Sequence, residues 1–217
     1  MKTLLILIAL FLITTIAYAQ LPKRANRFPV GTFHKKNLNI NGLSVGLYSG
    51  YGDFADSMRN VHTNGIRLEA IGLGILGPLL PKSPISEDED DFMDLMAKPA
   101  SEQINGLNLS PAGTICDCIV SGISAGAIGQ INRQVSGVSA SIIMNMAERH
   151  NGVQLAMFNE SFAMNGLQIG VSNYSYKTRG IQIGLFNQSK NLKGIQIGLW
   201  NRNQKRKLPI LNWNFKN

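Results

Sequence analysis

A repeat of 14 residues close to the C-terminal end is the feature that most constrains the fold of this chain. The four copies begin GVQLAMFN, GLQIGVSN, GIQIGLFN and GIQIGLWN, so each has a glycine, a glutamine between two apolar residues, and a closing asparagine. A unit this short has no core of its own and buries side chains only by stacking on its neighbours. The repeat glycines are Gly152, Gly166, Gly180 and Gly194.

Alternation within a unit predicts β-strands. In residues 181–187 the isoleucines and Asn187 fall on one face, whereas Gln182 and Phe186 fall on the other. This period of two is the pattern of an extended strand with one buried side. We therefore expect a strand of about seven residues in each unit, a turn over the polar residues 188–191, and an outward-facing Gln182.

The asparagines that close the units predict how the strands stack. In a parallel, in-register stack each amide side chain hydrogen-bonds to its copy in the next coil, which satisfies a buried polar group. An antiparallel arrangement gives a repeated column no such partner, so the sequence favours an all-β β-solenoid of short coils. An outer-membrane β-barrel is the alternative, because 14 residues per strand and turn with apolar alternation also suit a barrel strand. The expected structural ladder consists of Asn145, Asn159, Asn173, Asn187 and Asn201.

Weaker copies of the unit extend the repeat domain over residues 42–217. They bring the expected number of coils to about nine, with a basic cap over residues 202–217. One segment, residues 77–102, does not match the repeat, because four prolines bracket the acidic run EDEDDFMD at residues 87–94. Prolines and like charges resist strand pairing, so we expect a protruding loop there with a short helix around residues 92–96. The leading glycines of the weaker copies are Gly42, Gly65, Gly106, Gly122 and Gly137.

The N-terminal end has the pattern of an export signal. Lys2 precedes an apolar run, and the small-residue site Ala17-Tyr18-Ala19 follows it. The run is shorter than the roughly 20 residues of a membrane-spanning helix, so residues 1–19 are predicted to be a cleaved signal peptide. Residues 20–41 then form a lead-in to the repeats. We expect the protein outside the cytoplasm: at the cell surface, in the outer membrane or in the medium.

Charge is distributed unevenly along the chain. The net charge is +8, and nine basic residues but no acidic ones follow Glu160. A basic end of this kind suits a solvated cap that blocks further stacking, or a surface that binds anionic polysaccharide or lipid headgroups. Export argues against a nucleic-acid partner. The partners left open are a cell-envelope polysaccharide and another surface protein.

The sequence contains few candidates for chemistry. Cys116 and Cys118 lack the further ligands of a zinc site and are expected to be buried thiols, with a short-loop disulfide or metal capture as alternatives. His150 falls in a predicted turn and is expected at the surface. Glu148 and Glu160 are the only acidic residues of the regular repeats and lie near turns, which does not provide the paired carboxylates of a polysaccharide-cleaving enzyme. We therefore expect no catalysis and neither a metal nor a cofactor.

The units GLQIGVSN, GIQIGLFN and GIQIGLWN, together with the ending LPILNWNF, resemble the glycine-rich surface-repeat proteins first named in leptospires and common among Bacteroidota. The resemblance covers roughly residues 106–215. It implies a bacterial, exported or surface-associated repeat protein with a structural or binding role and no assigned activity. It supplies no catalytic residues for this chain.

Overall fold

The computed structural model describes residues 23–49 and 58–216, so the predicted signal peptide at residues 1–19 lies outside the described residues. Twelve strands and one α-helix, α1 (Glu89–Ala97), account for most of this part of the chain. A 3₁₀ helix at Gly74–Leu79 precedes α1. The strands are β1 (Ala25–Arg27), β2 (Val30–Thr32), β3 (Leu38–Gly46), β4 (Val61–Glu69), β5 (Glu102–Ser110), β6 (Ile115–Gly126), β7 (Gly129–Ala140), β8 (Met144–Leu155), β9 (Phe158–Ile169), β10 (Ser172–Ile183), β11 (Phe186–Arg202) and β12 (Lys207–Asn214).

The strands form one stack in which each strand pairs with the next along the chain, except that β1 and β2 both pair with β3. From β3 to β11 every pair is parallel, and each repeat glycine lies beside the glycine of the next coil. This confirms the β-solenoid, and the antiparallel alternative does not fit. The nine glycine units of the sequence are β3 to β11; β1 and β12 extend the stack of the described residues to eleven strands.

Each regular coil is one bent strand closed by a two-residue turn. β10 bends at Gly180 and ends at Ile183, and the turn Gly184-Leu185 leads into β11. The Nδ2 of Asn173 donates a hydrogen bond to the carbonyl oxygen of Ile183, across the coil, at 2.9 Å. The two sides of the coil therefore lie close together, and the interior is thin.

The glutamine side of each regular strand faces the interior. The prediction that the isoleucine side is buried is therefore wrong. Gln182 is fully buried, whereas Ile181 and Ile183 are 38% and 37% exposed. The predicted turn is wrong as well, because residues 188–191 continue as strand and the turn lies at Gly184-Leu185. At this position the thin interior accepts flat amides, which hydrogen-bond to their copies in the neighbouring coils.

Four columns of side chains fill the interior of the regular coils. In β10 their members are Asn173, Ser175, Thr178 and Gln182, none of them more than 1% exposed. The Nε2 of Gln182 donates to the Oε1 of its copy in β9 at 2.7 Å, and the copy in β11 donates to Gln182 at 2.7 Å. Because the buried amides of this column find partners in the neighbouring coils, a polar interior is stable.

The glycine at each bend is required for two reasons. Gly180 has a φ of +139°, in the left-handed region that residues with a side chain rarely adopt. A Cβ at this position would also collide with the carbonyl oxygen of Gly166, its copy in β9. The repeat glycines thus mark the points where the backbone turns and where successive coils approach most closely.

In the middle coils the column that holds Thr178 in β10 is apolar, whereas the asparagine and glutamine columns keep polar side chains. Ile104, Val120 and Val135 pack with Cys116 and Cys118 in one buried cluster. The two cysteines form a disulfide, so the expectation of buried thiols is wrong and the short-loop disulfide is the correct alternative. The register of β6 against β7 shifts directly after Cys116, and this bulge brings the two side chains together.

The connection between β4 and β5 folds back onto the solenoid, and we call its residues 80–98 the strap. The strap carries α1, which confirms the short helix predicted there. Phe92 stacks on Phe162 of β9 with ring centroids 4.3 Å apart, and the backbone N–H of Ser86 donates to the Oε1 of Glu148 at 3.0 Å. The expectation of a protruding loop is therefore wrong, because the strap covers the outer side of β8 to β10.

Strand β12 runs antiparallel to β11 and ends the stack. The Nδ2 of Asn212 donates to the Oε1 of Gln196 at 3.2 Å, which continues the glutamine column into the last strand. Pro209 lies in β12 and has no N–H to offer to a further strand. Lys205 and Arg206 of the predicted basic cap lie in the connection between β11 and β12.

We predict that Asn187→Ala and Gln182→Ala each lower the free energy of unfolding by about 1–3 kcal/mol, because each leaves amide partners in neighbouring coils unpaired. Gln182→Lys should be more destabilising, since it places an unpaired charge in the interior. The exposed Asn191→Ala is the matched control and should shift stability by less than about 0.5 kcal/mol. Urea unfolding followed by circular dichroism gives the midpoints. Equal midpoints for the interior variants and the control would contradict a polar interior.

Candidate binding surfaces

The predicted asparagine ladder lies in one interior column of the solenoid. The Nδ2 of Asn159, Asn173 and Asn187 each donates to the Oδ1 of the asparagine in the next coil, at 2.8–2.9 Å, and this series ends at Asn201. Asn145 lies in the same column, but its Nδ2 donates to a backbone carbonyl oxygen at 3.4 Å. All five side chains are buried, so they hold coils together and are not accessible to a ligand.

His150 lies in the interior and not at the surface as expected. It occupies the column of Val135 and Met164 in the neighbouring coils and is fully buried. Neither ring nitrogen has a hydrogen-bond partner, and burial lowers the pKa of His150 from 6.5 to about 4. The neutral imidazole is therefore a packing side chain at neutral pH.

A buried ionic cluster in the N-terminal coils is a feature that sequence reasoning missed. Arg67 is fully buried in the column that holds glutamine in the regular repeats. Its Nε donates to the Oε2 of Glu102 at 2.8 Å, and its Nη1 lies 3.4 Å from the Oε2 of Glu69. Arg59 pairs with the Oε1 of Glu102 at 3.2 Å. Two buried cations face two buried carboxylates, so the cluster neutralises itself and offers no charge to a ligand.

A cleft opens between the strap and the solenoid. Its two adjoining pockets have volumes of about 440 Å³ and 530 Å³ and share Ser83, Glu160 and Tyr174 in their walls. The second pocket also has Tyr176 and Lys190, whose Nζ lies 4.7 Å from the centroid of the Tyr176 ring. Aromatic rings beside hydroxyl, carboxylate and ammonium groups suit a small polar ligand.

The two carboxylates of the repeats lie beside this cleft in different settings. Burial raises the pKa of Glu160, and a hydrogen bond with the Ser83 hydroxyl opposes that shift. Burial also raises the pKa of Glu148, which is 1% exposed and accepts a hydrogen bond from Ser86 of the strap. The strap covers Glu148, whereas the exposed Glu87 and Asp88 of the strap line the second pocket together with Glu160.

The outer side of the solenoid opposite the strap is apolar along its length. The side chains one and three residues after each repeat glycine face outwards there, and none of them is buried. We call these two columns, together with Leu211 and Trp213 of β12, the apolar strip. In β3 to β11 its members are Leu43, Val45, Ile66, Leu68, Leu107, Leu109, Ile123, Ala125, Val138, Ala140, Val153, Leu155, Leu167, Ile169, Ile181, Ile183, Ile195 and Ile197.

Basic and aromatic residues border the strip at its C-terminal end. Arg179 and Lys193 directly precede the repeat glycines of β10 and β11. Trp200 and Trp213 are 48% and 44% exposed, and Phe215 follows β12 with 67% exposure. This end of the strip therefore combines apolar, aromatic and cationic side chains.

Comparison with protein-family models, with curated proteins and with solved structures gave no match. No helix in the described residues is long and apolar enough to cross a membrane. In the same residues, His, Cys, Asp and Glu side chains form no group of three or more that could hold a metal ion. The strap cleft and the apolar strip are thus the two candidate surfaces.

We predict that His150 makes the solenoid less stable as the pH falls from 6.5 to about 4. In this window the unfolded chain binds a proton at His150 and the folded chain does not, so protonation favours unfolding. The loss should reach about 3 kcal/mol. His150→Met, which copies Met164 of the next coil, should remove this part of the pH dependence. Urea unfolding of both proteins above and within the window measures it, and identical pH profiles would contradict the prediction.

We predict that Arg67→Met lowers the free energy of unfolding by about 3–5 kcal/mol, because Glu69 and Glu102 then keep buried charges without their main partner. Arg179→Met removes an exposed arginine and is the matched control, with little expected effect. Thermal unfolding compares the two variants with the parent chain. A melting temperature of Arg67→Met equal to that of the control would show that the cluster does not stabilise the fold.

Proposed function

We propose that the protein is an exported bacterial surface-repeat protein with a non-catalytic, structural or binding role at the cell envelope. The β-solenoid fold is compatible with such a role. The apolar strip is the observation that carries the proposal, because an exposed apolar surface of this kind suits contact with another molecule or a membrane.

A contiguous apolar patch of a few hundred Å² is about the largest that a monomeric soluble protein exposes, and such a patch is often functional. The strip passes through ten strands, β3 to β12. With strands about 4.8 Å apart, it is roughly 40 Å long. Every coil contributes to it at the same two positions, so the architecture provides one long, flat surface for binding.

The disulfide supports export. Cys116 and Cys118 are joined in the buried core of the middle coils. Structural disulfides persist in oxidising compartments and are rare in the cytosol. The signal-like residues 1–19 and the resemblance to surface-repeat proteins point in the same direction.

The strap cleft supports a binding role. Glu160 stands beside two tyrosines, while Glu148, the second carboxylate of the repeats, is covered by the strap. Aromatic rings beside polar and charged groups in this cleft suit a cell-envelope polysaccharide as a ligand.

Fractionation of a didermic bacterium that expresses the full chain with a C-terminal tag tests the proposal. We expect a mature protein that begins at Gln20 and is recovered in the envelope or the medium. Ala19→Arg should block cleavage and is the control for processing. A full-length, uncleaved chain that remains in the cytoplasm would contradict the proposal.

A further inference from the structure

We propose that the apolar strip docks on the surface of an anionic phospholipid membrane. The inference deepens the proposed function and rests on it, because it names what the strip contacts at the cell envelope. The docked protein lies with the axis of the solenoid parallel to the membrane and places the strip at the boundary between headgroups and acyl chains.

Within residues 23–49 and 58–216, the chain covers one of the two outer sides of the solenoid. On the strap side Phe162 is fully buried beneath Phe92. On the opposite side Ile169, Ile183 and Ile197 are 39%, 37% and 43% exposed in three successive coils. Removal of such a surface from water is favourable, and a bilayer offers an apolar phase of matching flat shape.

The charge around the strip matches an anionic surface. Arg179 and Lys193 border it, and residues 205–207 add three further cations at the same end. No acidic residue follows Glu160 in the sequence, so no carboxylate from that part of the chain opposes binding. Basic side chains close to an anionic bilayer strengthen its attraction for a protein.

Aromatic side chains stand where an interfacial anchor is needed. Trp213 belongs to the strip and Trp200 lies at the corner beside it, both about half-exposed. Ile210 and Phe215 are 74% and 67% exposed at the same end. Tryptophan favours the headgroup region of a membrane, and an apolar surface with basic and aromatic borders is typical of proteins that lie in that region.

A second copy of the chain fits the strip less well. The strip is about 40 Å by about 10 Å, and its area of about 400 Å² is half of what each partner contributes to a standard protein interface. Its N-terminal border is neutral in the described residues: Asn64 donates to Asn41 at 2.9 Å, and Asn105 donates to Asn64 at 2.8 Å. A head-to-tail pair would therefore leave Arg179 and Lys193 without opposite charges.

Vesicle binding followed by tryptophan fluorescence tests the proposal. The chain has two tryptophans, Trp200 and Trp213, so the signal reports on the C-terminal end of the strip. With vesicles of phosphatidylcholine and phosphatidylglycerol we expect cosedimentation, blue-shifted emission and quenching by brominated acyl chains. Vesicles of phosphatidylcholine alone should bind more weakly, and salt should weaken binding to the anionic vesicles.

Paired variants test whether the strip makes the contact. Ile183→Gln with Ile197→Gln should weaken vesicle binding about tenfold, because two apolar side chains no longer enter the lipid. Ile75→Gln with Met93→Gln is the matched control, since both residues are exposed apolar side chains away from the strip. That control should bind as the parent chain does.

A second pair of variants tests the charge. Arg179→Gln with Lys193→Gln should remove most of the preference for anionic vesicles. Lys23→Gln with Lys35→Gln removes the same charge from the other end of the solenoid and should keep the preference. Equal loss in both pairs would mean that net charge alone attracts the protein, and it would overturn the proposed orientation of the strip.

The mature chain from Gln20 onwards is used, and undiminished binding by its Ile183/Ile197 variant would overturn the proposal. Blue-shifted tryptophan emission in the absence of lipid, together with a dimer in sedimentation velocity, would overturn the lipid proposal. That result would show that a second copy of the chain covers the strip. An exported protein that binds no vesicle overturns the lipid proposal and leaves the proposed function standing. A lipid-binding chain that stays unprocessed in the cytoplasm overturns the proposed function alone.

Discussion

Hydrogen bonds between amide side chains of successive coils fix the register of the regular repeats. Asn173 donates to Asn187 of the following coil at 2.8 Å, whereas Gln182 donates to Gln168 of the preceding coil at 2.7 Å. The two ladders thus point in opposite directions, and their dipoles oppose each other. Both ladders require the same distance and register at every step from β8 to β11, and the unit length in these coils is constant at 14 residues.

A thin polar interior reverses the usual distribution of side chains. Glutamine and asparagine lie inside, so the isoleucines of the same strands have no interior to enter. The chain covers part of this outer apolar surface with the strap, and the aromatic stack of Phe92, Phe162 and Tyr176 shows how closely that cover fits. The strip on the other side is exposed in the part of the chain that the structure describes. The surface proposed to act at the envelope is therefore a direct result of how the interior is filled.

The sequence predicts the period, the strands and the parallel stack, because glycine and asparagine recur with one spacing. It does not predict which face is buried: alternation separates Ile181 from Gln182 but says nothing about which of them faces inwards. Arg67 could have been found by aligning it with the repeat glutamines, since it also stands two residues after a repeat glycine. The packing of Phe92 on Phe162 had no local signal, because the two rings are far apart in the sequence.

Strand β12 reverses direction and ends the stack in the same way whatever the number of coils before it. Every coil between the ends meets its neighbours through the same columns, so an additional unit beside β10 would find its partners already in place. Duplication of a short stretch of coding sequence would then lengthen the molecule by one strand spacing, about 4.8 Å. In such a protein the number of repeats determines the length of the apolar strip. That length can change during evolution while the fold stays the same.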